Sequence, residues 1–168
     1  ELERARDLNP TDLSVNRNLG VGYLVARRYD QAIERLRRTY EMDPDFLQAK
    51  MILGWAYHEK SAFQEMLDLY RDDQDDFIYL LASYRMGRSG TRETYVKLID
   101  LAASSVDGWG AAVMYAEIGG HADKLFAHLN RAFKDHASSL LFVKNWPSFD
   151  EYRSDPRYKA LLEKMGLN

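Results

Sequence analysis

Residues 13–44 read LSVNRNLGVGYLVARRYDQAIERLRRTYEMDP. Apolar side chains recur three and four apart on two successive segments, with a polar break between them. That spacing is helical, because 3.6 residues per turn brings positions i, i+3 and i+4 to one face. The first helix is expected over about 13–26, with Leu19 and Tyr23 sharing a face. The second is expected over about 30–42, where Ala32, Ile33, Leu36 and Tyr40 form a stripe to be buried. Asn9-Pro10 breaks the chain ahead of the first helix, and Thr11-Asp12 offers N-cap chemistry. Asp43-Pro44 stops the second, since proline lacks an amide and disfavours helical geometry before it. Gly20 costs about 1 kcal/mol against alanine inside a helix. A glycine belongs there if a second helix crosses too closely for a side chain, with Ala32 as the small residue opposite.

The pattern returns 34 residues on. Leu53-Gly54, Tyr57, Phe63 and Tyr70 stand in phase with Leu19-Gly20, Tyr23, Tyr29 and Leu36. These residues resemble the tetratricopeptide repeat (TPR) at that family's own period. The resemblance implies an all-α fold: a right-handed TPR α-solenoid of antiparallel helix pairs with a C-terminal capping helix. The second pair is expected over about 46–60 and 62–71. Its end is irregular, since Arg71-Asp72-Asp73-Gln74-Asp75-Asp76 replaces the last turn and its proline. This acidic run lacks the glycine and spaced ligands of a calcium loop, and reads as a solvated turn and helix start.

The third pair is expected over about 77–86 and 91–103. Leu80-Leu81 and Tyr84 match Leu53-Gly54 and Tyr57 after 27 residues rather than 34, which leaves open whether this pair is a regular repeat. Ser104-Ser105-Val106-Asp107 opens the fourth pair, Ala111-Ala112 and Tyr115 fill its small and tyrosine positions, and its second helix is expected over about 122–135. Tyr23, Tyr57, Tyr84 and Tyr115 mark out the array.

From Ser138 the pattern changes. Leu140-Leu141-Phe142-Val143 is a short apolar run expected to form a helix on the last pair, and Trp146-Pro147-Ser148-Phe149-Asp150 a turn. Asp155-Pro156 begins a final helix, proline suiting the first helical position after a capping aspartate. Leu161, Leu162 and Met165 form its inner face, and Gly166 ends it. A solenoid must hide its last apolar face, and this tail, Trp146 included, has that character. The string from Leu141 to Leu167 resembles the C-terminal end of bacterial TPR regions. Those regions follow winged-helix transcription regulators, adenylate cyclase catalytic domains or serine/threonine kinase domains. The organisation expected is one TPR-like domain over 1–168. Residues 1–10 would end a preceding repeat, 11–135 hold about four helix pairs, and 136–168 form the cap. On that expectation the chain is a fragment of a longer protein.

At 29% charged and 46% apolar, the 168 residues have a globular composition. The net charge of -3 gives no basis for nucleic acid as a partner. Arg27-Arg28 and Arg35-Arg37-Arg38 are interleaved with Asp30 and Glu34, as on solvated helix faces. Without cysteine there is neither a disulfide nor a thiolate site. No apolar run reaches the ~20 residues of a membrane helix, no signal peptide is visible, and a cytoplasmic location is expected.

No catalytic constellation emerges, so an enzyme is not expected. His58, His121, His128 and His136 include no pair at the spacing of shared metal ligation, and neither a metal nor a cofactor is expected. What remains is surface. In a TPR array the first helix of each pair lines a concave groove. By that phase Arg17, Val21 and Leu24 face it from the first pair, and Met51, Trp55 and His58 from the second. Ile78 and Arg85 follow from the third, and Trp109, Val113 and Glu117 from the fourth. Trp55 and Trp109 are the candidate anchors; the competing expectation is that each packs against a neighbouring helix or the tail. Arg17 and Arg85 are placed to clamp a peptide carboxylate. Val21 stands where chaperone-tail-binding TPR proteins want an asparagine, which disfavours that ligand. The expected function is a non-catalytic protein-interaction module with a peptide or partner protein in its groove. The alternative is a regulatory domain that senses a small ligand, or self-associates as a homo-oligomer, to control an upstream effector.

Overall fold

A computed structural model describes residues 10–102 and 107–167. The expected end of a preceding repeat, in 1–9, and most of the opening of the fourth pair, in 103–106, lie outside them. Every regular element among the described residues is helical. The chain divides into two compact units, Glu1–Arg88 and Ser89–Asn168. The division falls in the turn that the sequence places inside the third pair.

Unit 1 contains α1 (Leu13–Val25), α2 (Tyr29–Met42), α3 (Leu47–Glu59), α4 (Phe63–Leu69) and α5 (Phe77–Arg85). The Asp12 carboxylate caps α1, accepting from the Val15 amide at 2.9 Å. Buried Asn16 pins the same end, donating to the carbonyls of Pro10 and Asp12 at 2.8 and 2.9 Å and accepting from Arg35 at 3.2 Å. Leu19, Gly20, Val21, Leu24, Ala32, Ile33 and Leu36 are buried. So is each residue 34 positions later: Leu53, Gly54, Trp55, His58, Met66, Leu67 and Tyr70.

The turns repeat as well. After α1 the amides of Arg27 and Arg28 donate to the carbonyls of Leu24 and Tyr23. After α3 those of Ser61 and Ala62 donate to His58 and Tyr57. This satisfies the last free carbonyls and needs a left-handed residue just past the helix. Arg27 and Ser61 take that conformation, with φ of 59° and 60°.

The glycine notches are inside. A Cβ on Gly20 would lie 2.5 Å from Leu36 Cγ, so the crossing partner is Leu36 rather than Ala32. A Cβ on Gly54 would lie 3.4 Å from Tyr70 Cε2, the residue in register with Leu36, and 2.9 Å from the Ile78 side chain. The α5 turn corrects the tyrosine series. The amides of Gly87 and Arg88 donate to Tyr84 and Ser83, so Ser83, not Tyr84, is the structural counterpart of Tyr57. Ser83 is accordingly buried and Tyr84 only partly so. The acidic run shortens α4, which ends at Leu69, and Asp76 then caps α5 through the Ile78 amide at 2.7 Å.

Unit 2 contains α6 (Thr91–Ala102), α7 (Gly108–Ile118), α8 (Ala122–Lys134), two 3-10 helices (Ser138–Phe142 and Pro147–Tyr152) and α9 (Pro156–Lys164). The apolar run expected as a helix forms a short 3-10 helix over Ser138–Phe142, with Leu140 and Val143 buried and Leu141 and Phe142 exposed. Ala111 and Ala112 are fully buried, and another close approach in this unit is at Gly108. A Cβ there would strike the His128 carbonyl oxygen and lie 2.6 Å from the Ala132 nitrogen. The tail packs over α7 and α8. Phe149 lies 5.3 Å from Trp109 and 6.4 Å from Tyr158 between ring centroids. Tyr158 Oη donates to the Val143 carbonyl at 2.6 Å, and Arg157 reaches Asp123 on α8 at 2.6 Å. Asp155 caps α9 as the sequence indicates, accepting from the Arg157 amide at 2.8 Å.

Candidate functional site

Helix phase assigns side chains to a groove; the structure sends most of them to the interior. Val21, Leu24, Trp55, His58 and Ile78 of unit 1 are buried, as are Trp109, Val113 and Glu117 of unit 2. Phase alone assumes one free face per first helix. Here α3 packs against α1 and α5 as well as against α2 and α4, so the face reserved for a ligand is occupied. Ile78 fills the space beside Gly54. Trp55 lies 5.9 Å from Phe77 and 6.0 Å from His58. In unit 2 every α7 residue except Gly110 is buried, and Trp109 meets Trp146 edge-on at 5.5 Å and Phe149 at 5.3 Å. Both tryptophans therefore follow the internal-packing alternative, and Trp146 is the buried tail residue expected.

Three of the groove positions keep accessible surface. Arg17 is half-buried, and Met51 and Arg85 are exposed. The Arg85 guanidinium lies 5.6 Å from the Phe63 ring centroid, which holds it near the surface of unit 1.

Met51 also opens onto a cavity of unit 1, of about 790 Å3. Leu47 and Met51 are one turn apart on α3 and line it together with Tyr70 and Phe77. Leu47 is 67% exposed and Met51 38%, unusual for large apolar neighbours on one face. Asp45, Asp72, Asp73, Asp75 and Asp76 surround this surface. Lys50 is the single basic residue of the lining. Its ammonium contacts Asp73 at 2.9 Å and stands 4.3 Å over the Tyr70 ring. Asp76 is partly enclosed, and burial pushes its carboxyl above its ordinary value, against the opposing pull of the Ile78 amide.

Sequence reasoning identifies Met51 here but misses Leu47, and it takes the acidic run only for a solvated turn. The run is a turn and a helix start, and it is also the rim of a cavity. The signal available is the i, i+4 pair Leu47 and Met51, left over once the core stripe of α3 is assigned to Leu53, Ala56 and Tyr57.

Unit 2 has a polar cluster of another kind. Tyr115 Oη donates to Asp100, which also accepts from Lys124 at 2.6 Å. The Lys124 hydrogen bond, then that of Tyr115, holds the Asp100 carboxyl below its ordinary value. His128 stacks on Tyr115 at 5.5 Å, and His121 lies 5.9 Å from the same ring. This ties α6, α7 and α8 together through one side chain.

No protein-family model matches the chain. A stretch of 82 residues, 49% of the chain, is 34% identical to FK506-binding protein 5 of Rhizopus delemar and spans 20% of that protein's length. Among the described residues, no helix is long and apolar enough to cross a membrane.

Proposed function

We propose that this chain is a non-catalytic protein-binding module of the TPR type, its helix pairs stacking as a right-handed solenoid around a peptide or partner-protein surface. The observation that carries this function is the in-register packing of unit 1. Leu19, Gly20, Leu24, Ala32 and Leu36 and their counterparts Leu53, Gly54, His58, Met66 and Tyr70 are all buried, and the turns at Arg27 and Ser61 recur at the same 34-residue interval. A repeat of that length stacks into an extended wall rather than a closed bundle, and such walls recognise other chains. The similarity to part of FK506-binding protein 5 agrees with a helical interaction region. FK506 binding belongs to that protein's name, and a fifth of its length brings no such ligand to this chain.

Binding is proposed to use accessible side chains, chiefly Arg17, Met51 and Arg85. The test is to pan peptide libraries against the intact chain and map the selected peptides by 1H–15N spectra. The function predicts enriched peptides whose affinity falls about fivefold or more in Met51→Ala or Arg85→Ala, a typical size for accessible contact residues. Failure to enrich any peptide over an unrelated helical protein would remove the function.

A further inference from the structure

We propose that the cavity between the first turns of α3 and the 71–76 turn binds a cationic, apolar segment of a partner protein: a lysine or arginine flanked by an aliphatic side chain. This names the ligand chemistry of one site within the protein-binding function above, and rests on it.

The surface has two components that only such a segment satisfies together. One is apolar. A single exposed leucine is ordinary on any protein, but Leu47 and Met51 project from one helix face onto one open concave surface, beside Phe77. The other is anionic. Asp45, Asp72 and Asp75 stand exposed around that floor, while Lys50, the one cation of the lining, is already directed to Asp73 and the Tyr70 ring. An acidic segment would meet like charge on most sides, and a neutral apolar one would leave the carboxylates without complement. Lysine and arginine answer both demands, since their methylene stems lie along apolar surface while the charged head stays at a polar rim. The volume of about 790 Å3 suits a few side chains of a peptide, within the ordinary range of ligand pockets.

The rim is solvent-exposed, so its attraction is screened by salt. The probe is a fluorescein-labelled peptide alternating lysine with leucine, titrated into the full chain by anisotropy. A glutamate-leucine peptide of the same length is the counterpart. The lysine peptide is expected to bind, more weakly as salt is added, with amide shifts at Leu47, Met51 and residues 71–77. The glutamate peptide is expected not to bind. Asp72→Asn combined with Asp75→Asn should lower affinity about tenfold, as loss of two rim charges does. Leu47→Ser should lower it by a similar factor. These side chains are exposed, and circular dichroism checks that each variant keeps its fold.

Equal binding of the glutamate peptide would overturn the assignment. So would unchanged affinity in Leu47→Ser, which would mean mere charge attraction. Shifts at Arg17 or Arg85 without any at Leu47 would also overturn it, while leaving the general protein-binding function intact. No binding of the lysine peptide, alongside library peptides that bind elsewhere, would likewise overturn the assignment and spare the general function.

Discussion

Unit 1 closes its core by doing one thing twice, whereas unit 2 closes its core with a tail that occurs once. In unit 1 the notch at Gly20 is filled by the Leu36 side chain. In unit 2 the notch at Gly108 is filled by the backbone of α8 at His128 and Ala132. A side chain can rotate away from an intruding methyl, but a hydrogen-bonded helix backbone cannot. The lesson is that similar small-residue contacts differ in tolerance according to what fills them.

The sharpest way to break this contrast is at the tail. Phe149 is fully buried between Trp109 and Tyr158. Phe149→Ala should cost about 4 kcal/mol, the usual loss for a buried aromatic, read from urea denaturation. A loss below about 1 kcal/mol would show that the tail does not seal unit 2. Next is the pair of notches. Gly108→Ala should cost about 3 kcal/mol, because backbone must move. Gly20→Ala should cost about 1 kcal/mol, since overpacking against Leu36 is partly offset by alanine's better helix propensity. A reversed order would end the distinction between the two fillings.

The caps sharpen the comparison by serving as an even reference. Asp12→Ala in unit 1 and Asp155→Ala in unit 2 each remove the capping acceptor of a helix start, at about 1 kcal/mol apiece, the exposed Asp155–Arg157 pair adding little. Equal losses by denaturation are the expected outcome, and a large inequality would tie one cap to its unit's core.

The smallest expected effect is a difference of sign in acid. The Asp100 carboxyl is held below its ordinary value. Its contribution is therefore present above the unfolded pKa near 4 and is lost as pH falls through the folded value. Asp76 is raised by burial. Its contribution is present below the unfolded pKa and is lost as pH rises through the folded value. Asp100→Asn should flatten the loss of stability below about pH 4, and Asp76→Asn should steepen it. Melting temperatures of both variants across that range decide the matter; matching slopes would remove the contrast.

Helix positions in both units can be read from the sequence, because the 3.6-residue period and the breakers at Pro10, Pro44 and Gly87 are local signals. The 34-residue core of unit 1 is legible for the same reason: its buried positions recur at one interval, although Leu36 crowds Gly20 and Ile78 crowds Gly54. The site is far less legible. Whether a first helix has a free face depends on how many neighbours it meets, and no periodicity in α3 or α7 encodes that. Phase assigns Trp55, Ile78 and Trp109 to a groove, and packing takes them to the core. The acidic run and Leu47 are the reverse. Each looks inert alone, and only the fold sets them around one cavity, 25 or more residues apart along the chain.

Arg27 and Ser61 carry a last consequence. Both hold left-handed backbone without being glycine, a conformation that costs an ordinary residue about 1 kcal/mol or more. The hinges between rods are thus kept under tension by their own sequence. Relaxing them with glycine would toughen the molecule at its joints while leaving the cavity wall untouched, so resilience and recognition can be varied separately.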